Sequence, residues 1–83
     1  MAFPIVVAEF DKNSREVVRV TIDEYHGRPM IGVRVWFHDG AALKPGRAGI
    51  TMALAHLPAL AEGLQLAVAR AKVEGLLDGE GGR

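Results

Sequence analysis

Residues 19–36 read RVTIDEYHGRPMIGVRVW, and their alternation of apolar and polar side chains predicts two β-strands joined by a tight turn. His26-Gly27 suits a two-residue hairpin turn, because Gly supplies a positive φ at one of the two positions. With this turn, one face of the hairpin is wholly apolar. Its cross-strand pairs are Val18 with Val35, Val20 with Val33 and Ile22 with Ile31.

The opposite face of the predicted hairpin, here named the arginine face, is cationic and aromatic. Like charges directly opposite each other destabilise a sheet, yet neither strand offers an acidic residue opposite its arginines. Arginines neutralise phosphates and aromatic rings stack on bases, so this face suits single-stranded nucleic acid. A merely solvated face is the alternative interpretation, since antiparallel sheets often expose one polar side to water. The pairs on this face are Arg19 with Arg34, Thr21 with Gly32, Asp23 with Met30 and Tyr25 with Arg28, and Trp36 follows on the same side.

The remaining sequence predicts a single α+β domain. Residues 5–10, 16–25 and 30–37 have strand patterns, residues 39–49 are rich in Gly and Pro and predict a loop, and residues 50–52 predict a short strand. Residues 54–77 predict one long helix with Pro58 in its first turn, where a missing N–H is tolerated. We expect residues 1–78 to form one nucleic-acid-binding domain and residues 79–83 a flexible tail.

The predicted helix carries apolar residues on two sides. One stripe should cover the apolar face of the hairpin, and the other suggests a partner subunit, because a chain of 83 residues has little area to bury by itself. Stray exposed apolar residues are the alternative to a dimer. The first stripe comprises Leu57, Leu60, Ala61, Leu64, Val68 and Ala71, and the second comprises Leu66, Val73 and Leu77.

Composition narrows the function classes. Ten basic residues balance ten acidic ones, so no overall field favours nucleic acid, although residues 25–50 carry a local positive excess. The absence of Cys excludes thiolate metal sites and disulfides. The apolar start of the chain lacks a basic leader and is too short to span a membrane, so we expect a cytoplasmic protein, with nucleoid association as a further expectation.

Residues 43–50, LKPGRAGI, combine two cations, a proline and two glycines, which alone predicts either a phosphate-contacting loop or a solubilising turn. Placed between an aromatic strand and a long helix, this segment resembles the positive cofactor four family of transcriptional coactivators. The matching segments are VRVTIDEYHGRPMIGVRVWFHD, LKPGRAGIT and the Leu-rich helix, within residues 17–70. The resemblance implies a curved four-stranded antiparallel sheet followed by one C-terminal helix, homodimerisation and binding of single-stranded DNA.

The resemblance also implies contact residues, which overlap the arginine face. It favours Phe37 as the stacking ring, whereas strict alternation puts Trp36 beside Arg34, and a bulge near residue 36 would reconcile the two. Asp23 and Ala48 depart from the family, because basic residues can occur at these positions, and each loss removes one potential phosphate contact. The predicted nucleic-acid-binding residues are Arg19, Tyr25, Arg28, Arg34, Trp36, Phe37, Lys44 and Arg47.

The sequence offers no constellation for catalysis or metal binding. The three histidines lack the spacing of metal ligands, and Asp23 and Glu24 are adjacent and point to opposite faces of a strand. We therefore expect no enzymatic activity, cofactor or metal. The family resemblance and the arginine face together imply a homodimer that binds single-stranded DNA or RNA with little sequence preference. Such a protein would act, with the transcription machinery, in transcription or in DNA handling. The alternative is a protein-interaction module that docks an acidic partner and does not bind nucleic acid.

Overall fold

The predicted fold, a four-stranded antiparallel sheet followed by one C-terminal helix, is confirmed. The computed structural model describes residues 2–77, so the predicted tail over 79–83 lies outside the described residues. The sheet has the order β1-β2-β3-β4, and each strand is antiparallel to its neighbours. Its elements are β1 (Ile5–Asp11), β2 (Glu16–Tyr25), β3 (Arg28–Asp39) and β4 (Ala42–Ala53), followed by a 3₁₀ turn (Leu54–His56) and helix α1 (Leu57–Val73).

The β2–β3 hairpin has the predicted register. Val18 lies opposite Val35, Arg19 lies opposite Arg34, and the other predicted pairs are likewise in place. The turn residues His26 and Gly27 have φ values of 52° and 81°, the positive values that a type I′ turn requires at both central positions. The hairpin therefore follows from the period-2 pattern and the turn residues together.

Strand β4 corrects the prediction of a loop over residues 39–49. The segment KPGRAGI lies within β4, where Trp36 is opposite Pro45 and Arg34 is opposite Gly49, so residues 46–48 form a bulge opposite Val35. A Cβ at Gly49 would lie 2.6 Å from the carbonyl oxygen of Val33, and one at Gly46 would lie 2.9 Å from that of Val35. These glycines thus allow β4 to approach β3 closely, and Pro45 is tolerated because β4 is an edge strand.

Helix α1 begins with Pro58 in its first turn, as predicted, but it ends at Val73 rather than at residue 77. Gly75 has a φ of 75°, and its N–H donates to the carbonyl oxygen of Lys72 at 3.1 Å. The N–H of Leu76 donates to the carbonyl oxygen of Ala71 at 2.8 Å, which completes a Schellman cap. Within the described residues, neither helical segment has the length and apolar character needed to cross a membrane.

The predicted packing of α1 on the apolar face of the hairpin is wrong. No residue of α1 is buried, and Leu64 and Val68 are 57% and 45% exposed. Within residues 2–77, the buried hydrophobic side chains are Val17 and Ile31 alone. The accessible surface is 6540 Å², against roughly 4,800 Å² for a compact monomer of this mass. The single chain therefore exposes more surface than a compact monomer would, and its exposed side chains include large apolar ones such as Val7 and Leu66.

Candidate nucleic-acid interface

The arginine face holds five of the predicted contact residues. Successive side chains of a strand point to opposite faces, so the β2–β3 register fixes which residues share this side. Thr21 lies opposite Gly32 near the middle of the face, and Val17 lies opposite Trp36 at one end. The predicted contact residues on this face are Arg19, Tyr25, Arg28, Arg34 and Trp36.

Arg19 is already engaged within the chain. Its Nε lies 2.7 Å from Oε1 of Glu9, which is opposite it on β1, and its guanidinium carbon lies 4.4 Å from the centre of the Trp36 ring. The ion pair and the cation–π contact offset the repulsion between Arg19 and Arg34. Arg19 therefore contributes to the structure of the sheet, and one face of the Trp36 ring is covered.

Arg34 has a different environment. Its Nη1 donates to the carbonyl oxygen of Gly46 at 3.1 Å, in a partly buried position. This hydrogen bond ties the β4 bulge to β3. None of the ion pairs within residues 2–77 involves Arg28, Arg34 or Arg47. These three cations are therefore available to an external anion.

A groove, here named the hairpin groove, follows the arginine face. One part, of about 200 Å³, lies beside Trp36 and Arg34, and a second part, of about 370 Å³, lies beside Tyr25. The two parts adjoin, because Asp23, Met30 and Thr51 line both. At the outer end Tyr25 is 66% exposed, and its ring meets the His26 ring edge-on at 4.2 Å between centroids.

Phe37 and Lys44 lie on the face opposite the arginine face. A bulge does occur near residue 36, but its extra residues belong to β4, and β3 alternates regularly against β2 until Phe37 meets Glu16. The interpretation that a bulge would bring Phe37 beside Arg34 is therefore wrong. Phe37 is 38% exposed and pairs across the ladder with Lys44, whose Nζ lies 2.7 Å from Oδ2 of Asp39.

Arg15 is a candidate contact residue that sequence reasoning missed. It lies in the connection between β1 and β2 and lines an open groove of about 550 Å³ that Phe37 and His38 also line. The N–H of Arg15 donates to Oδ1 of Asn13 at 2.9 Å, which fixes the backbone of this connection. In the sequence, Arg15 is marked only by its positive charge beside a polar turn. The alternation of apolar and polar residues assigns no role to a residue in such a connection.

The same connection contains a carboxylate with a shifted pKa, that of Glu16. The carboxylate of Glu16 accepts from Nδ2 of Asn13 at 2.7 Å and from Nζ of Lys12 at 3.0 Å. The hydrogen bond from Asn13, together with that from Lys12, lowers the pKa of Glu16. Glu16 therefore stays ionised near neutral pH. Within residues 2–77, no cluster of His, Asp and Glu could hold a metal ion.

Comparisons with known proteins agree with this architecture. A family profile described as Transcriptional Coactivator p15 (PC4) matches residues 12–63. A crystal structure of a PC4 homologue from Burkholderia pseudomallei K96243 has a TM-score of 0.73 at 27% identity, covering 82% of this chain and 96% of that one. No curated protein sequence matches the chain significantly.

Two more distant structures share the fold. MoSub1, solved in a complex with DNA, has a TM-score of 0.60 at 19% identity, and the match covers 82% of this chain and 84% of that one. A bacteriophage T5 homologue of the eukaryotic coactivator PC4, implicated in recombination-dependent DNA replication, has a TM-score of 0.56 at 20% identity. That match covers 88% of this chain and 81% of the phage protein.

Proposed function

The chain belongs to the PC4 family of transcriptional coactivators, and from this membership and the arginine face we propose that it binds single-stranded DNA as a homodimer. It acts in transcription or in the handling of melted DNA, inside the cell and without catalysis. The observation that carries the proposal is the hairpin groove, which is lined by the half-buried cation Arg34 and the exposed ring of Tyr25. The exposed cation Arg28 lies opposite Tyr25 on the same face of the sheet.

The residues of the arginine face, inside the hairpin groove and beside it, have different roles in binding. Arg28 and Arg34 have no carboxylate partner within residues 2–77, so they can neutralise phosphates. Tyr25 is the most accessible ring on the arginine face and stacks on a base. Bases in a duplex are already stacked and paired, so an exposed ring favours the unpaired strand.

A second patch extends the contact surface beyond the groove. Phe37 offers another exposed ring, with Arg15 lining the same open groove and Lys44 beside it in the ladder. The ion pair between Lys44 and Asp39 is more than half exposed on both sides, so it contributes little and a phosphate can replace the carboxylate. Arg47 projects from the β4 bulge as a further phosphate contact.

The excess of exposed surface supports the dimer. The chain exposes roughly 1,700 Å² more than a compact monomer of its mass would. That excess is larger than the roughly 800 Å² that each partner buries in a standard protein–protein interface. Leu64 and Leu66 lie on the two apolar sides of α1 and are 57% and 64% exposed, so α1 is the element that meets the partner.

Fluorescence anisotropy with a labelled oligo-dT and the matching duplex, each at two salt concentrations, tests the proposal. We expect tighter binding of the single strand and an affinity that falls as salt rises. Arg28→Ala should weaken binding and lower the salt slope by about 0.7, the value for one lost contact to a single strand. Arg70→Ala removes the same charge from the helix and serves as the control, since Arg70 pairs with Glu74 away from the groove.

Three outcomes would overturn the proposal. The first is absence of DNA binding at low salt, and the second is equal affinity for the duplex. The third is binding of an acidic peptide in place of DNA, which would assign the arginine face to a protein partner.

A further inference from the structure

We infer that the hairpin groove selects guanine at the nucleotide that stacks on Tyr25, and that Asp23 is the selecting group. This inference rests on the proposed binding of single-stranded DNA and specifies one base within that site. The remaining nucleotides are held by phosphate contacts and stacking, without discrimination among bases.

The position of Asp23 is the first observation. Its carboxylate lies on the arginine face and lines both parts of the hairpin groove, between Arg34 at one end and Tyr25 at the other. None of the ion pairs within residues 2–77 involves Asp23, and its Oδ1 accepts only the N–H of Glu24, at 2.7 Å. The carboxylate therefore retains most of its capacity to accept hydrogen bonds.

The walls of the groove are the second observation. Tyr25 and Met30 provide flat and apolar surface beside Asp23, and Thr51 adds a hydroxyl group. Gly32 lies farther along, where an added Cβ would be 3.1 Å from Oγ1 of Thr21, so the absence of a side chain deepens the groove. Apolar walls with a few convergent polar groups are typical of sites that hold a small planar ligand.

Hydrogen-bonding chemistry then distinguishes the four bases. An ionised carboxylate only accepts hydrogen bonds, and it repels the phosphates that the neighbouring arginines attract. Guanine presents two adjacent donors, N1–H and N2–H, which a carboxylate can accept in parallel, as it does from an arginine fork. Adenine and cytosine offer one amino group each, and the N3–H of thymine lies between two carbonyl oxygens that the carboxylate repels.

Fluorescence anisotropy with four labelled strands tests the inference. One is unmodified oligo-dT, and the other three carry dG, deoxyinosine or dA at one central position. Deoxyinosine keeps N1–H and lacks the N2 amino group. We expect the strand with dG to bind roughly ten- to hundredfold more tightly than oligo-dT, which is the discrimination of a good bidentate base contact. The strand with deoxyinosine should fall between them.

Asp23→Asn should abolish the preference, so that it binds the dG and oligo-dT strands with equal affinity. Glu62→Gln, which removes the same charge from helix α1, should keep the preference. Equal affinity of the unmodified protein for the dG and oligo-dT strands would overturn the inference and leave single-strand binding intact. A preference for dG that survives in Asp23→Asn would overturn the role of Asp23. Absence of binding to every strand would instead overturn the proposed function.

Discussion

Within this one chain, the strands of the sheet have their pairing partners, whereas helix α1 lacks a surface that covers its apolar side chains. In the sheet, the turn at His26-Gly27 and the alternating side chains set the β2–β3 register, and the β4 bulge is tied down by Arg34. Helix α1 satisfies its own backbone and is capped at Gly75, yet Leu64 and Leu66 remain exposed. The backbone pairing of this protein is therefore specified within one chain, whereas many apolar side chains of α1 are left exposed by it.

The largest change in stability is expected from substitutions on helix α1. The double substitution Leu64→Asp with Val68→Asp places charges on the stripe that was predicted to cover the hairpin. The structure leaves this stripe exposed, so we now expect a partner subunit to cover it. Each buried aliphatic side chain contributes roughly 1.5–3 kcal/mol, so the dimer should dissociate and the melting temperature should fall steeply. Size-exclusion chromatography with light scattering and thermal unfolding measure both quantities.

The matched control for the helix is Gln65→Asp, which places a charge between the two apolar stripes and should leave the dimer intact. If the unmodified chain is a monomer at micromolar concentration and the double variant melts at the same temperature, the helix does not need a partner. The comparison between sheet and helix would then be lost.

A smaller effect is expected at the β4 bulge. Gly49→Ala forces a Cβ to within 2.9 Å of the Cα of Arg34, so β4 must shift away from β3. Overpacking of this kind costs about 1–3 kcal/mol of unfolding free energy, measurable by urea denaturation. Gly63→Ala in α1 is the control, because nothing lies within 4 Å of its added Cβ. It should stabilise the helix by roughly 0.5–1 kcal/mol.

Substitutions of the aromatic rings of the sheet should affect DNA binding and leave dimer assembly unchanged. Tyr25→Leu and Phe37→Leu should each weaken binding of single-stranded DNA by about 1 kcal/mol, the low end for loss of a stacked base. Trp36→Phe should change the affinity much less, because Arg19 covers one face of this ring. Anisotropy reports the affinities, and light scattering should find all three variants as dimeric as the parent. A greater loss for Trp36→Phe than for Phe37→Leu would reverse this assignment.

The smallest effect concerns the β1–β2 connection and depends on pH. The pKa of Glu16 is lowered in the folded chain by Asn13 and Lys12, so its ionised form stabilises the fold above pH 4.5. This stabilisation is lost as the pH falls below 4.5 towards the folded pKa. Thermal unfolding of Glu16→Gln against the parent should therefore give a difference in melting temperature that shrinks at acid pH. Asn13→Ala should reproduce it, and a difference independent of pH would contradict the assignment.

The hairpin and its arginine face could be predicted from the sequence, because a period-2 pattern and a two-residue turn leave one register that keeps the apolar residues together. Strand β4 could not be predicted, since glycines such as Gly46 and Gly49 are typical of loops. Their role, which is to let β4 approach β3 closely, becomes visible only once the two strands are paired. The ion-pair partner of Arg19 could not be predicted from the sequence either. Glu9 reaches it through a β1 register that shifts between Val6 and Ala8, which no local pattern encodes.

Helix α1 illustrates the same limit at larger scale. Its periodicity correctly predicts apolar stripes, but periodicity does not say which surface covers a stripe. The face of the sheet on which Phe37 lies could not be predicted for a related reason, because a bulge can reverse the alternation of side chains in either of two paired strands. The structure assigns the extra residues to β4, and only then is the face of Phe37 determined.

The irregular backbone of the sheet is confined to its two outer strands. β1 shifts register between Val6 and Ala8, and β4 carries the bulge at residues 46–48, while the central β2–β3 ladder is uninterrupted. An outer strand with free N–H and C=O groups can recruit strands from other molecules, and bulges discourage this recruitment. The two irregular outer strands thus oppose edge-to-edge growth of the sheet into fibrillar aggregates.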